Sequence, residues 1–153
     1  MCSCARSRIL RMKITYYVFQ QIKLFAETNF PTEVGGALGI KNGVIIDFFP
    51  DVGLYVEKTG VYIPNAELIN EKLRIWAESN ISFGGIFHSH PDCSNSLSNN
   101  DIFYIQKIMD CMPSNIVFLY FPLVLPSSGN MVAFKAIKSS CGFSIVREDI
   151  EIV

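Results

Sequence analysis

Two histidines, the only two in the 153-residue sequence, stand close together in His88-Ser89-His90-Pro91. The apolar run that begins at Gly84 predicts a strand that ends at this point. Because residues i and i+2 of an extended chain point to the same side, the two imidazole rings can converge on one ion. Imidazole is a usual ligand of Zn²⁺, so the segment indicates part of a metal site.

A carboxylate that could complete this site follows on the next predicted helix. Seven residues separate His90 from Ser98, and Asp101 comes three residues after Ser98. Ser98 is a typical N-cap residue, which places Asp101 in the first helical turn and at a fixed position beside the strand end. Two imidazoles and a carboxylate, with a fourth position left to water, form the pattern of a catalytic zinc site.

Each of these two patterns also has an ordinary structural explanation. A His-x-His segment is commonly the polar end of a strand, and Ser-x-x-Asp before an apolar run is commonly a capping box. Their combination in one short stretch favours the metal site. Since the sequence contains no third histidine, such a site must be completed by Asp101.

The complete spacing resembles the JAMM motif of the JAB/MPN metalloprotease family. That motif is matched by His88-x-His90, seven residues, Ser98, two residues and Asp101. The resemblance covers nearly the whole sequence, from Ile14 to about residue 138. It also implies a glutamate far upstream, on the strand after the first helix.

Glu33 supplies that glutamate within residues 31–36, Pro-Thr-Glu-Val-Gly-Gly. This form is similar to the bacterial and archaeal members of the family, in which Glu-x-Gly-Gly opens the strand. Family members commonly continue as Gly-x-Leu-Leu-Gly, whereas here Gly39 comes one residue early. The departure leaves the local strand register open, but not the identity of Glu33, which is the only acidic residue between Glu27 and Asp47.

The resemblance implies a role for each of these residues. His88, His90 and Asp101 would hold one Zn²⁺ per chain, which lowers the pKa of its bound water to about 7. Glu33 would accept the proton of that water and deliver it to the leaving amine. The Ser98 hydroxyl would steady the oxyanion of the tetrahedral intermediate, in addition to capping its helix.

The resemblance also implies a ubiquitin-like protein as partner and substrate, cleaved after its C-terminal Gly-Gly tail by an isopeptidase or peptidase reaction. Such a tail can bind by adding itself to a strand edge. Residues 47–63 correspond to an insertion that contacts the tail in family members, although their aromatic residues and glycines equally suit a hairpin packed on the core. One alternative is a peptidase that processes a ubiquitin-like sulfur carrier. Another is a metal-free MPN scaffold, which is disfavoured because scaffold members characteristically lose motif residues.

Helical periodicity, apolar runs and turn residues predict helices and strands in alternation. Asn42-Gly43 between two apolar runs predicts an antiparallel hairpin. The run 116–121 is apolar without alternation, which predicts burial on both faces. The predicted fold class is therefore α/β, a single-domain mixed β-sheet flanked by helices on both sides, and the resemblance implies the JAB/MPN, cytidine-deaminase-like version of it. The predicted helices are 16–28, 64–79 and 98–112, and the predicted strands are 35–40, 44–49, 83–88, 115–121, 131–138 and 143–146.

The composition describes one compact and apolar domain. Hydrophobic residues make up 50% and charged residues 18%, and the mean hydropathy is +0.30, which excludes intrinsic disorder. The longest apolar run, 116–125, is far shorter than the roughly 20 residues that span a bilayer, so no membrane partner is predicted. Four of the thirteen basic residues precede Ile14, and the remaining nine face fourteen acidic residues, which argues against nucleic acid as a partner. The buried strand at 116–121 would account for part of the high apolar content. An exposed face for the ubiquitin-like modifier, or for a second copy in a homodimer, would account for the rest.

The first residues are predicted to lie outside the folded domain. Residues 1–12 contain Arg6 and Arg8, lack the apolar run of a secretory signal, and include Met12 as an alternative start. We therefore predict a disordered arm here and the metalloprotease domain over residues 13–153. Five cysteines, an odd number without a regular framework, predict a cytoplasmic protein with reduced thiols.

The cysteines and the single tryptophan carry further predictions. Cys93 lies three residues after His90, and a thiolate there could fill the fourth zinc position. We favour an open site, because a cysteine in a polar surface loop is usually not a ligand. Cys111 and Cys141 are predicted to pack as small apolar residues, and Trp76 is predicted to anchor the second helix in the core.

Overall fold

The computed structural model describes residues 10–54 and 62–153. Tyr55 and Gly60, which belong to the predicted tail-contacting segment, lie outside these residues. Within the two described ranges, no helix combines the length and the apolar character that crossing a bilayer requires. The helices are α1 (Tyr16–Thr28), α2 (Ala66–Glu78) and α3 (Asn99–Cys111), and the strands are β1 (Arg11–Ile14), β2 (Gly35–Lys41), β3 (Val44–Asp51), β4 (Ser82–Ser89), β5 (Phe118–Tyr120), β6 (Leu123–Leu125), β7 (Asn130–Ser139) and β8 (Gly142–Ile152).

The strands close into a barrel. β2 pairs with β3, and the ring continues through β1, β8, β7, β5 and β4, which pairs again with β2. Parallel and antiparallel pairs are mixed in this ring, and β6 bridges β4 and β7. The predicted fold class, a mixed β-sheet flanked by helices on both sides, is therefore wrong, because the sheet closes on itself.

Glycines allow the strands to approach closely where the barrel closes. A Cβ added to Gly36 on β2 would stand 2.1 Å from the carbonyl oxygen of Phe49 on β3, and one added to Gly35 would stand 2.3 Å from a carbonyl oxygen of β4. On β4, Gly85 has a φ of +133° and lies against the backbone of Tyr120 on β5. Apolar periodicity reports which residues are buried but not which strands meet, so it could not predict closure.

Two large groups of buried side chains and a smaller one around Leu123 fill the described part of the molecule. The first includes Val18 and Ile22 of α1. The second includes Trp76 of α2 and Ile105 of α3, together with Ile86 of β4. Trp76 is 3% exposed, so its predicted place in the core is confirmed. The face of β4 that carries Ile86 is thus the face toward α2 and α3.

The first helix and the first hairpin have the local structure that the sequence predicts. α1 has the predicted bounds, and the Oγ1 of Thr15 accepts a backbone N–H of its first turn. Asn42 and Gly43 have positive φ values of 52° and 77° in the turn of the antiparallel hairpin β2–β3. The early Gly39 marks a bulge, because the register with β4 shifts before this residue and the register with β3 shifts after it.

β1 extends the folded domain toward the N-terminus. Arg11 and Met12, which were assigned to the predicted arm, belong to this strand, and it runs parallel to both β3 and β8. Met12 is fully buried, so its side chain is part of the core. Residues 1–9 lie outside the described residues.

Four further predictions differ from the structure. β5 is short and Val117 is 56% exposed, so the run 116–121 is not buried throughout. β8 extends well beyond the predicted 143–146, because its charged residues obscure the strand pattern. Cys111 and Cys141 are exposed, so the prediction that they pack as apolar residues is wrong.

Candidate metal centre

The end of β4 holds the two histidines in place. His88 lies two residues after Ile86 and lines the same narrow space near α3, and His90 follows at the same spacing. The two histidines are 9% and 8% exposed. The backbone N–H of His88 donates to the Pro122 carbonyl oxygen at 3.2 Å, and that of His90 donates to the Val124 carbonyl oxygen at 2.9 Å. The strand end is therefore fixed on the segment around β6.

α3 brings Asp101 to the same place through its N-terminal cap. The Oγ of Ser98 accepts the Asp101 N–H at 3.1 Å, and Oδ2 of Asp101 accepts the Ser98 N–H at 2.8 Å, which forms a capping box. Asp101 Oδ1 lies 3.0 Å from Nε2 of His88, and Oδ2 lies 3.1 Å from Nε2 of His90. The capping-box explanation of the Ser-x-x-Asp pattern is therefore confirmed, and the position of Asp101 is compatible with the metal-site explanation.

Glu33 reaches this group from the segment before β2. Ser89 ties that segment to β4, because its N–H donates to the Val34 carbonyl oxygen at 2.7 Å and its Oγ accepts the Val34 N–H at 2.9 Å. The ligand atoms of Glu33 and of the three predicted metal ligands all lie within 4.8 Å of one another. The structure therefore brings together the ligand atoms of four of the five residues that the motif singled out, all except Ser98.

We expect Ser89→Ala to lower the free energy of unfolding by about 1–3 kcal/mol, because the Val34 N–H then loses its buried acceptor. Denaturant unfolding of the metal-free protein measures this change. The matched control is Ser144→Ala on an exposed position of β8, for which we expect a change below about 0.5 kcal/mol. Equal losses in the two variants would contradict the clamping role of Ser89.

The donor atoms of this group fit a small divalent cation. Nδ1 of His90 lies 2.9 Å from the Ser94 carbonyl oxygen, which can only accept, so Nδ1 carries the proton and Nε2 of the neutral ring carries a lone pair. That lone pair faces Oδ2 of Asp101 at 3.1 Å and Nε2 of His88 at 3.0 Å. A proton or a metal ion is needed between such groups. Tetrahedral zinc ligands at about 2.0–2.1 Å from the metal stand about 3.3 Å apart, close to these spacings.

Three side chains of the centre have shifted pKa values. Burial lowers the pKa of His90, but hydrogen bonds with Asp101 and the Ser94 carbonyl oxygen raise it overall. Burial raises the pKa of Asp101, but hydrogen bonds with His88 and His90 hold it well below its usual range. Burial also raises the pKa of Glu33, and the charge of His88 offsets only part of this. Asp101 is thus held as an anion, as a metal ligand requires, while Glu33 binds a proton more readily than an exposed glutamate.

An open cavity of about 330 Å³ gives access to the centre, and Glu33, His90, Ser98 and Asp101 are among its lining residues. The Oγ of Ser98 accepts the Asp101 N–H and still has its own proton to donate. The position of Ser98 on the cavity wall is compatible with the predicted oxyanion role, which stays a prediction.

Cys93 lies outside the four-residue group. Its thiol is exposed, and Sγ lies 3.1 Å from Oγ of Ser127. The four residues whose ligand atoms converge include His90 but not Cys93. The geometry therefore gives no support to Cys93 as a zinc ligand.

Two residues that support the centre were missed by the sequence analysis. Ser89 stands inside the His-x-His segment, so its position was visible but its clamping bond was not. The ring of Tyr62 lies against Gly35, two residues after Glu33, and its backbone N–H faces the Glu33 carboxylate and lowers the pKa of Glu33. No spacing rule connects Tyr62 with a glutamate so far upstream.

Comparison with known proteins identifies the fold. No protein-family profile matches the sequence, and no curated protein matches it. Among solved structures, protein DSY2949 from Desulfitobacterium hafniense has a TM-score of 0.63 and 14% identity, over 92% of each chain. The JAB1/MPN domain protein AF2198 from Archaeoglobus fulgidus has a TM-score of 0.54 and 15% identity, over 91% of this chain and 98% of that one. A structure reported as JAMM, a metalloprotease-like zinc site in the proteasome and signalosome, has a TM-score of 0.51 and 15% identity. This match covers 93% of this chain and 99% of that one.

The protein therefore has the fold of a JAB/MPN domain, and the resemblance drawn from its motif is confirmed at that level. At such low identities the matches show the fold alone. The fold, together with a His-His-Asp-Glu group that could bind a metal, supports a metallopeptidase of the JAMM type.

Proposed function

We propose that this protein is a zinc metallopeptidase that hydrolyses the peptide or isopeptide bond after the Gly-Gly tail of a ubiquitin-like protein. The observation that carries the proposal is the convergence of His88, His90 and Asp101 with Glu33 beside an open cavity. A non-catalytic scaffold would not require this arrangement, and the chain keeps every residue of the motif.

The side chains divide the reaction between them. His88, His90 and Asp101 would hold zinc, and the chemistry that zinc supplies when bound is the activation of water as a nucleophile near neutral pH. Glu33 accepts a proton from that water and passes it to the leaving amine, which its raised pKa favours. The Ser98 hydroxyl donates to the oxygen on which negative charge develops.

The space on the other side of the centre supports a glycine tail. Beside His88 lies a constriction of about 30 Å³, which is also lined by Tyr62, Ile86 and Tyr104. Such a narrow passage admits a chain without side chains more readily than any other. It continues into an apolar groove of about 300 Å³, and Ile86 and Tyr104 line both spaces. The groove lies between α2 and α3, and its other lining residues include Ile69, Leu73 and Phe83. It suits apolar side chains that precede the two glycines of the substrate tail.

The test is a panel of fusions offered to the zinc-loaded protein. Each fusion joins a ubiquitin-like protein that ends in Gly-Gly to a reporter, through a peptide or an isopeptide bond, and a matched fusion ends in Ala-Ala. We expect cleavage after Gly-Gly and a rate at least about tenfold lower after Ala-Ala, because two methyl groups must then enter the constriction. Cleavage of sulfur-carrier adducts alone would favour the alternative substrate. Failure to cleave any member would contradict the proposed function.

We also place this protein in the cytoplasm. The three cysteines that the structure describes, Cys93, Cys111 and Cys141, are free and exposed thiols. Such thiols persist in reducing compartments, which supports this location.

A further inference from the structure

A buried carboxylate at the end of β3 organises the chain that leads to α2. Asp51 is 5% exposed and accepts three hydrogen bonds. Its Oδ1 accepts the Gly53 N–H at 2.9 Å, and its Oδ2 accepts the Tyr62 O–H at 2.7 Å and the Asn65 N–H at 2.8 Å. The two stems of the connection are also joined directly, because the Leu54 N–H donates to the carbonyl oxygen of residue 63 at 2.8 Å. Asp51 therefore fixes both stems to the barrel.

Tyr62 links this carboxylate to the candidate metal centre. Its hydroxyl is held by Asp51, while its backbone N–H faces the Glu33 carboxylate and lowers the pKa of Glu33. Its ring lies on Gly35, where an added Cβ would come within 2.5 Å of Cε1. Tyr62 is 6% exposed, so the ring is packed between the end of β3 and the start of β2. Contacts of its ring, hydroxyl and backbone thus connect Asp51 with the segment that carries Glu33.

We propose that Asp51, acting through Tyr62, is a positioning residue that fixes the Glu33 carboxylate beside the metal centre. The inference rests on the proposed function, because it assigns a support to the proposed base. Glu33 lies outside the helices and strands and has three rotatable side-chain bonds, so its carboxylate needs a fixed donor to remain in one place. A base that is displaced by about 1 Å can cost about 100-fold in rate, which gives such a donor a catalytic consequence.

Kinetics of Asp51→Asn test this role on the Gly-Gly fusion. An amide offers one acceptor oxygen to three donors, so the Tyr62 bond or a neighbouring bond is lost. We expect kcat to fall about tenfold and KM to change less, because Asp51 itself lines none of the substrate spaces and the Tyr62 ring that lines the constriction is kept. Tyr62→Phe removes the hydroxyl that Asp51 holds but keeps the ring on Gly35. It is the substitute variant for the same kinetic test if Asp51→Asn does not fold.

Asp47→Asn is the matched control on the same strand. Asp47 also accepts a side-chain hydrogen bond, from Nε1 of Trp76 at 2.8 Å, but it anchors α2 and not Tyr62. We expect a lower Tm in both variants and a lower kcat only in Asp51→Asn. A kcat for Asp51→Asn and Tyr62→Phe equal to that of the parent, or an equal fall in Asp47→Asn, would overturn the proposal.

A second measurement needs neither metal nor substrate. In the metal-free protein, we expect the changes in Tm caused by Tyr62→Phe and by Glu33→Ala to be non-additive in the double variant, because both act on the packing between Tyr62 and the segment that carries Glu33. Tyr120→Phe is the matched control, because Tyr120 is about as buried as Tyr62 but lies on β5, so its change in Tm should be additive with that of Glu33→Ala. Additive changes for Tyr62→Phe would overturn the link to Glu33. This thermodynamic cycle does not involve cleavage. If the parent protein cleaves no Gly-Gly fusion, the proposed function is contradicted. The Tm values still decide whether Tyr62 is linked to Glu33.

Discussion

Glu33→Gln should retain zinc and lose cleavage of a Gly-Gly fusion by about 10²–10⁴-fold in kcat, the usual contribution of a general acid–base group. Glutamine has nearly the same shape as glutamate, so the segment before β2 and its packing against Tyr62 are not disturbed. What disappears is the ability to accept a proton from the attacking water and return it to the leaving amine. Parallel measurement of kcat and of zinc per chain, expected to be about one, separates the base from the ligands.

The control for this experiment is Glu27→Gln near the end of α1, where the carboxylate is exposed and lies outside the converging group. Its kcat and zinc content should match those of the parent. Cleavage by Glu33→Gln at the parental rate would show that Glu33 is not the base. Loss of zinc together with activity would show instead that Glu33 is a metal ligand, since its ligand atom lies within 4.8 Å of the other three.

The elements that the sequence predicts well are those whose cause is local. The hairpin turn requires positive φ at two successive residues, which Asn42-Gly43 provides, and α1 is set by its Thr15 cap and apolar spacing. The irregular register at Gly39 also has a local signal, because this glycine comes one residue earlier than in the JAB/MPN family pattern. In each case neighbours in sequence are neighbours in space.

Closure of the barrel depends on contacts that no local pattern contains. β1 pairs with both β3 and β8, although β8 lies at the other end of the chain. Its four residues alternate between exposed and buried, and its exposed Arg11 and Lys13 make it look like a continuation of a basic arm. The short β6 likewise becomes a strand only because β4 and β7 lie on either side of it.

The candidate site shows the same division between local and distant causes. His88, His90 and Asp101 were predictable because strand and helix geometry fix their spacing within one short stretch. Glu33 could be found only through the resemblance to a family. Asp51 and Tyr62 gave no signal at all, because a buried hydrogen bond between a strand end and a loop leaves no periodic trace in the sequence.

Asp101→Asn should reduce zinc affinity by more than about 100-fold, since even the loss of a residue that only contacts a ligand commonly costs 10–100-fold. The amide keeps an oxygen for the Ser98 N–H, so the cap of α3 can remain, but the negative charge that faces both histidines is lost. Zinc at about 100 times its Kd stabilises the parent by about 2.7 kcal/mol. The rise in Tm on addition of zinc should therefore be large for the parent and nearly absent for the variant at the same concentration.

Asp110→Asn is the matched control for this last experiment, because it changes an exposed carboxylate near the other end of α3. Its zinc-induced rise in Tm should equal that of the parent. Ser98→Ala removes the acceptor for the Asp101 N–H but no ligand, so it should lower the Tm with and without zinc by about the same amount. If Asp101→Asn gained as much stability from zinc as the parent does, the third ligand would have to come from Glu33, whose carboxylate is the remaining acidic group of the cluster.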